Sequence, residues 1–245
     1  MQHAFGLDIP QTLNEVADPT RMALLVYDMQ VGILRQLPNG AQTTARVVEV
    51  LDAARAGGYR VLFSRFVSMP LELAGVAQLR TAMAWQRVDS VAKVRPAFPP
   101  DASQTRLMPE VEPLASEAVF DRITMSAFEG TPLDLVLRDC GIQALAIVGV
   151  ALEVGIEPTV RHAADLCYVP VLPVDACGGR DEAAMERTLA NLAFAGDAIL
   201  TDTTTLCGIL RGSAGDARIS KRARLNDARV DAAVIADHRS SAPDR

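Results

Sequence analysis

The chain has 245 residues, 49% of them hydrophobic and 22% charged, and its formal net charge is -6. This composition is typical of a globular protein, and an acidic balance argues against binding a nucleic-acid backbone, which requires a basic surface. The longest apolar runs, residues 22–27 and 144–152, are too short to span a bilayer. With four scattered cysteines, three histidines and no secretory signal, we expect a cytoplasmic protein with no membrane, metal or cofactor.

Short apolar runs alternate with amphipathic stretches along the chain, and a proline-rich loop covers residues 86–113. Such alternation predicts an α/β fold with three layers, in which helices cover both faces of a parallel sheet. The predicted strands cover residues 22–28, 59–66, 118–121, 144–150, 168–174 and 198–201. The predicted helices cover residues 41–56, 71–85, 131–140, 155–166, 181–195 and 204–210.

The composition divides the chain into three parts. Residues 1–17 form an N-terminal lead, residues 18–211 form one folded domain, and residues 212–245 form a polar C-terminal tail rich in Ala, Arg, Asp and Ser. We therefore expect a single functional site in the central domain.

Polar groups follow several predicted strands at the point where each strand ends, and ligands bind beyond the carboxyl ends of strands in such sheets. Asp28 ends the first strand, Arg122 follows the third, and Asp175 ends the fifth. Asp28 is either a functional acid or the cap of a turn. Arg122 taken alone is more consistent with an ordinary surface arginine, and Asp175 with a capping residue.

The segment between the fourth strand and its helix, residues 151–155, also lies at this edge. Gly155 is predicted to open a helix, whose free N–H groups attract anions and whose glycine allows close approach. The alternative is that Gly155 only relieves crowding at the turn. Ala151 and Glu153 are candidate substrate-binding residues, and Glu153 is alternatively a capping acid.

Two aromatic residues are candidates for an apolar wall of the pocket or for a subunit interface. These are Trp85 and Phe128. Core packing is the favoured alternative for Phe128, but less so for Trp85, which lies in a loop-rich stretch.

Four segments resemble those of the isochorismatase-like hydrolases, also called the cysteine hydrolase superfamily. They are DMQ at 28–30, DRITMSAFEGTPLD at 121–134, IVGVALEVGIEPTVRHAADLCY at 147–168 and VDA at 174–176. The resemblance covers about residues 21–210. It implies a six-stranded parallel sheet flanked by helices, a small-molecule substrate, and a homodimer or a larger assembly such as a tetramer.

Most members of this superfamily are amidases with an Asp–Lys–Cys triad, and only its aspartate is retained here. The resemblance places that aspartate at Asp28, the lysine at Arg122 and the cysteine at Gly155. It also implies a cis peptide near Val150-Ala151. Members of the metal-dependent branches carry an Asp-x-His pattern. The segment after the second predicted strand here is SRFVSMP, residues 64–70, and it contains no histidine, so we expect no zinc site.

These departures remove the thiolate that an amidase of this type needs. Cys177 is the only cysteine at the correct edge, although a small buried residue is the favoured interpretation. Lys93 and Lys221 are remote in sequence from the lysine position. Arg122 keeps a positive charge, does not release a proton, and is expected to lower the pKa of Asp28.

Two hypotheses follow. The first is a hydrolase of a small anionic molecule in which Asp28 is the acid or base, Arg122 the electrostatic clamp and Gly155 an anion or water site. True isochorismatases, which use no covalent intermediate, likewise have glycine at this position. The second is a pseudoenzyme that binds a small molecule or protein partner. The double substitution Gly155→Cys with Arg122→Lys would rebuild the amidase triad. A gain of amidase activity would show that the pocket still has the shape of an amidase pocket.

Overall fold

The computed structural model describes residues 1–212, so the predicted tail beyond Gly212 lies outside the described residues. The N-terminal lead forms an antiparallel hairpin of β1 (Gln2–Ala4) and β2 (Leu7–Ile9), followed by the short helix α1 (Leu13–Val16). Val16 and Ala17 are buried in the main core, so the end of the lead packs against the domain.

The main sheet is parallel and contains all six predicted strands, which confirms the fold class. Its strand order is β5-β4-β3-β6-β7-β9, and the two-residue strand β8 (Cys177–Gly178) pairs with β6 as a seventh member. The sheet strands are β3 (Met22–Tyr27), β4 (Arg60–Phe66), β5 (Ala118–Arg122), β6 (Ala144–Val150), β7 (Val169–Pro173) and β9 (Ile199–Thr201).

Helices cover both faces of this sheet. One core includes side chains of α3 and of the last helix, residues 203–212, and the other includes side chains of α5, α6 and α7. The helices are α2 (Val31–Leu34), α3 (Gly40–Gly57), α4 (Val76–Gln86), α5 (Leu133–Asp139), α6 (Glu157–Asp165) and α7 (Glu182–Ala195). Among the described residues, no helix combines the length and apolar character that crossing a membrane requires.

Two predicted helices begin differently in the structure. The helix predicted over residues 71–85 is a 3-10 turn, Leu71–Leu73, and then α4, because Gly75 leaves the helical conformation and becomes the N-cap. The helix predicted from Gly155 begins as a π-helical turn, Leu152–Ile156, and becomes α-helical at Glu157. This second difference alters the site described next.

Candidate active site

Asp28 and Arg122 are brought together at the carboxyl ends of the strands. Asp28 follows β3 and Arg122 ends β5, two strands away across β4. Arg122 Nη2 donates to Asp28 Oδ2 at 2.5 Å, and the two side chains are only 1% and 7% exposed. Arg122 is therefore a buried partner of Asp28, and its interpretation as an ordinary surface arginine is wrong.

Burial controls the protonation of Asp28. Removal from water raises the pKa of its carboxyl to about 6, although Arg122 and the Ser64 hydroxyl both act to lower it. The sequence-based expectation that Arg122 would lower this pKa is right for the pair alone. Desolvation is the larger effect, so the net shift of the Asp28 pKa is upward.

Arg122 is held by several contacts in addition to the carboxylate. Its guanidinium carbon lies 4.2 Å from the centre of the Tyr27 ring, within the range of a cation–π contact. Its Nη1 donates to the carbonyl of Thr124. Its Nε is buried and has no hydrogen-bond partner among the described residues.

The Tyr27 side chain occupies the space beside Gly155. A β-carbon at position 155 would lie 2.0 Å from the Tyr27 hydroxyl oxygen and 2.6 Å from its Cζ, far inside contact distance. The hydroxyl donates to the carbonyl of Met125, and Tyr27 is 1% exposed. Sequence reasoning missed this residue. The available signal was a tyrosine in an otherwise aliphatic strand, because a buried hydroxyl requires a partner.

The amides around Gly155 do not form an anion site. The N–H groups of Val154, Gly155 and Ile156 all donate to the Ala151 carbonyl, at 3.3, 3.0 and 3.1 Å. The prediction of free N–H groups at Gly155 was therefore wrong, because the chain forms a π-helical turn there. The peptide between Val150 and Ala151 is cis, as the family resemblance implied.

Two acids at this edge accept hydrogen bonds from backbone N–H groups. Glu153 Oε1 accepts from the backbone N–H of Arg180 at 2.8 Å, ahead of α7. Asp175 accepts from the N–H of Thr203 at 2.7 Å and from its hydroxyl at 2.9 Å. Asp175 thus caps the last helix rather than the next turn. Glu153 caps no helix among the described residues, because the N-cap of α7 is Asp181, and it instead holds the backbone just before that helix.

The remaining candidate side chains lie apart from the ion pair. Phe128 is buried and stacks on Tyr168 with the ring centres 5.8 Å apart, which is the core-packing alternative. Trp85 lies on α4 and is 56% exposed. The Cys177 thiol is buried and donates to the Ile147 carbonyl, and burial raises its pKa, so it is no substitute nucleophile.

No group of three or more His, Cys, Asp or Glu residues within 1–212 is arranged to hold a metal ion. The expected independence from metals and cofactors stays a prediction.

Comparison with known families agrees with the observed fold. A family model described as the isochorismatase domain matches residues 22–205, which span the whole main sheet. The chain belongs to the isochorismatase family. This family consists of hydrolases, and the chain retains its α/β fold.

Individual relatives show where the chain lies within the family. It is 32% identical to an uncharacterized isochorismatase family protein, YecD of Escherichia coli O157:H7, over 63% of this chain and 78% of that protein. It is 26% identical to the ureidoacrylate amidohydrolase RutB of Serratia proteamaculans, over 64% and 70%. The solved cysteine hydrolase of Pseudomonas syringae pv. phaseolicola shares the fold, with a TM-score of 0.67 at 22% identity over 81% and 96%.

Proposed function

We propose that this protein hydrolyses a small anionic molecule without a covalent enzyme intermediate, metal or cofactor. Asp28 acts as the general acid or base, and Arg122 is the electrostatic clamp. The observation that carries this proposal is the buried Asp28–Arg122 pair at 2.5 Å, at the edge where ligands bind in such sheets.

The protonation state of Asp28 supports this role. General acids and bases are most effective when their pKa lies near the working pH, and burial raises the pKa of Asp28 to about 6. Asp28 is therefore mostly ionised at neutral pH and can still take up and return a proton. A thiolate mechanism has no support, because Gly155 has no side chain and the Cys177 thiol is buried.

Arg122 supports the choice of an anionic substrate. Its guanidinium stays charged, and a fixed positive charge favours an anionic ligand at this edge of the sheet. The name of the relative RutB points the same way, because ureidoacrylate is a small carboxylate. The identity of the substrate here is open to a screen of amides, ureas and isochorismate.

The test compares Asp28→Asn with Asp121→Asn. Asp121 precedes Arg122 on β5 and pairs with Arg65 on the exposed side, so its replacement is a matched control for the loss of one carboxylate. We expect Asp28→Asn to abolish turnover of any substrate found in the screen, with folding intact by circular dichroism. Asp121→Asn should retain turnover, and normal turnover by Asp28→Asn would refute the mechanism.

A pseudoenzyme that binds a small molecule or a protein partner is the second candidate function. Two observations favour it, the near-complete burial of both charged side chains and the position of Tyr27 beside Gly155. The same screen, run with a thermal-shift measurement, separates the two. Ligand-induced stabilisation without turnover supports the binding protein, and Asp28-dependent hydrolysis excludes it.

We also propose that the protein acts in the cytoplasm as a homodimer or tetramer. Light scattering coupled to size-exclusion chromatography tests the assembly, and a monomer at micromolar concentration would contradict it.

A further inference from the structure

Tyr27 and Gly155 have complementary shapes. The β-carbon that any other residue would place at position 155 meets three atoms of Tyr27, the hydroxyl oxygen at 2.0 Å, Cζ at 2.6 Å and Cε1 at 2.7 Å. Two of these atoms belong to the ring, so removing the hydroxyl alone would not make room. A side chain at position 155 therefore requires the Tyr27 ring to shift.

The same ring faces the Arg122 guanidinium. Stacking on an aromatic face suits the flat guanidinium of arginine, and at 4.2 Å the ring holds this group where Nη2 reaches Asp28 and Nη1 reaches the Thr124 carbonyl. The more compact ammonium of a lysine would not form the same set of contacts. Tyr27 thus both contacts the Arg122 guanidinium and fills the space beside Gly155.

The Tyr27 hydroxyl is itself committed to a structural contact. It donates to the Met125 carbonyl, and burial raises its pKa well above the ordinary value. It therefore stays neutral, which makes it a poor acid or base but a suitable fixed wall of the site.

We propose that Tyr27 is the positioning residue of this site: its ring holds Arg122 against Asp28 and fills the space that a side chain at position 155 would need. Tyr27, Arg122 and Gly155 form one coupled unit in which each residue depends on the others. The inference rests on the proposed function only in assigning Arg122 and Asp28 to the reaction. The contacts of Tyr27 can be tested without a substrate.

The first experiment introduces Gly155→Ala into three backgrounds, native, Tyr27→Phe and Tyr27→Val, and measures the urea midpoint of unfolding. Gly155→Ala should lower the midpoint in the native and Tyr27→Phe proteins, because Phe keeps both clashing ring carbons. In the Tyr27→Val background it should leave the midpoint unchanged or raise it, because the added methyl group then fills vacated space. Gly208→Ala is the matched control, since nothing lies within 4 Å of a β-carbon there.

The outcomes are distinct. An equal loss in all three backgrounds, or no loss in the native protein, would overturn the pairing of Tyr27 with Gly155. If Tyr27→Val does not fold, the comparison of Gly155→Ala with Gly208→Ala in the native background still tests the proposal. Gly155→Ala must then unfold at a lower urea concentration than Gly208→Ala, and equal midpoints would overturn the proposal.

The second experiment observes Arg122 directly by proton–nitrogen NMR of its side chain. The buried Nε–H should be protected from exchange with solvent in the native and Tyr27→Phe proteins, which both keep the ring. In Tyr27→Val we expect that protection to fall at least tenfold. Unchanged protection in folded Tyr27→Val would show that the ring does not position Arg122. Neither experiment involves turnover. A negative result for the positioning role of Tyr27 can therefore be distinguished from a negative result in the Asp28→Asn test of the proposed function.

Discussion

Two arginine–carboxylate pairs lie at opposite ends of the sheet, and they differ in depth and in the geometry of the bonds between arginine and carboxylate. Arg122 and Asp28 meet beyond the carboxyl ends of the strands, joined by one short hydrogen bond of 2.5 Å. Arg55 and Glu117 meet near the amino ends of β4 and β5, beside a surface cleft of about 430 Å³. Glu117 accepts two bonds from Arg55, at 2.9 and 2.7 Å, and a third from the N–H of Leu114.

This difference reverses the direction of the two pKa shifts. The carboxylate side chains are similarly covered, 7% exposed for Asp28 and 6% for Glu117. Burial raises the pKa of Glu117 as well, but the bonds from Arg55 and Leu114 more than offset it and leave the pKa lowered. For the deeper Asp28, desolvation prevails and the pKa rises. A carboxylate whose pKa is raised by deep burial is suited to proton exchange, whereas one whose pKa is lowered by its hydrogen bonds is suited to stability.

The largest effect should come from removing the two arginines. Arg122→Met leaves a buried carboxylate without its cation, and we expect a loss of about 3 kcal/mol or more in the free energy of unfolding at pH 7. Arg55→Met should cost only about 1 kcal/mol, because Arg55 is itself 23% exposed and Glu117 keeps the hydrogen bond from the N–H of Leu114. Urea unfolding measures both losses. Equal losses of stability in the two variants would contradict the comparison. Lowering the pH to 5 should reduce the stability that Arg122→Met loses, because Asp28 becomes protonated.

The pH dependence of stability should have opposite signs at the two sites. The folded pKa of Asp28, about 6, lies above the unfolded value of 3.8, so this residue increases the free energy of unfolding as the pH falls from about 6 to 4. The gain is about 3 kcal/mol. Glu117 has a lowered folded pKa, so its contribution is present above its unfolded pKa and is lost as the pH falls through the folded value.

Urea unfolding at pH 7 and pH 4.5 measures these contributions. Asp28→Asn should lack the gain that the native protein shows on acidification, and Glu117→Gln should lack the corresponding loss. If the stability difference between the native protein and Asp28→Asn is the same at both pH values, the raised pKa of Asp28 is wrong.

The smallest effect should come from conservative replacement. Arg55→Lys keeps the charge but loses the two-bond geometry toward Glu117, which should cost about 0.5 kcal/mol. Arg122→Lys also loses the contact with the Tyr27 ring, worth about 1 kcal/mol more. The urea midpoint of unfolding should therefore be higher for Arg55→Lys than for Arg122→Lys. The reverse order would contradict the proposed role of the Tyr27 ring.

The sequence was sufficient to predict the sheet and the residues at its functional edge, because apolar periodicity and strand ends are local properties. Asp28 and Arg122 could be placed at one edge in this way. Their direct pairing and their depth could not, because Asp28 leaves the extended conformation with a φ of 49°. The turn at Gly155 was predicted wrongly, since a π-helical turn directs its N–H groups at Ala151 rather than outward.

The tyrosine in β3 was a visible signal, but its role could not be predicted from the local pattern, because that role depends on a contact between residues 128 positions apart. This contact also changes how the triad substitutions would have to be combined. Gly155→Cys with Arg122→Lys would drive the new side chain into the Tyr27 ring. Tyr27→Val must accompany that pair, and the three substitutions belong in one experiment.

The exposure of Trp85 has a practical consequence for spectroscopy. It is the single tryptophan of the chain, and its side chain lies on α4, a helix with no fully buried residue. Indole emission should therefore already be red-shifted in the native state and change little when the core unfolds. The same property makes Trp85 a sensitive reporter for anything that covers α4, because a blue shift would signal its removal from water.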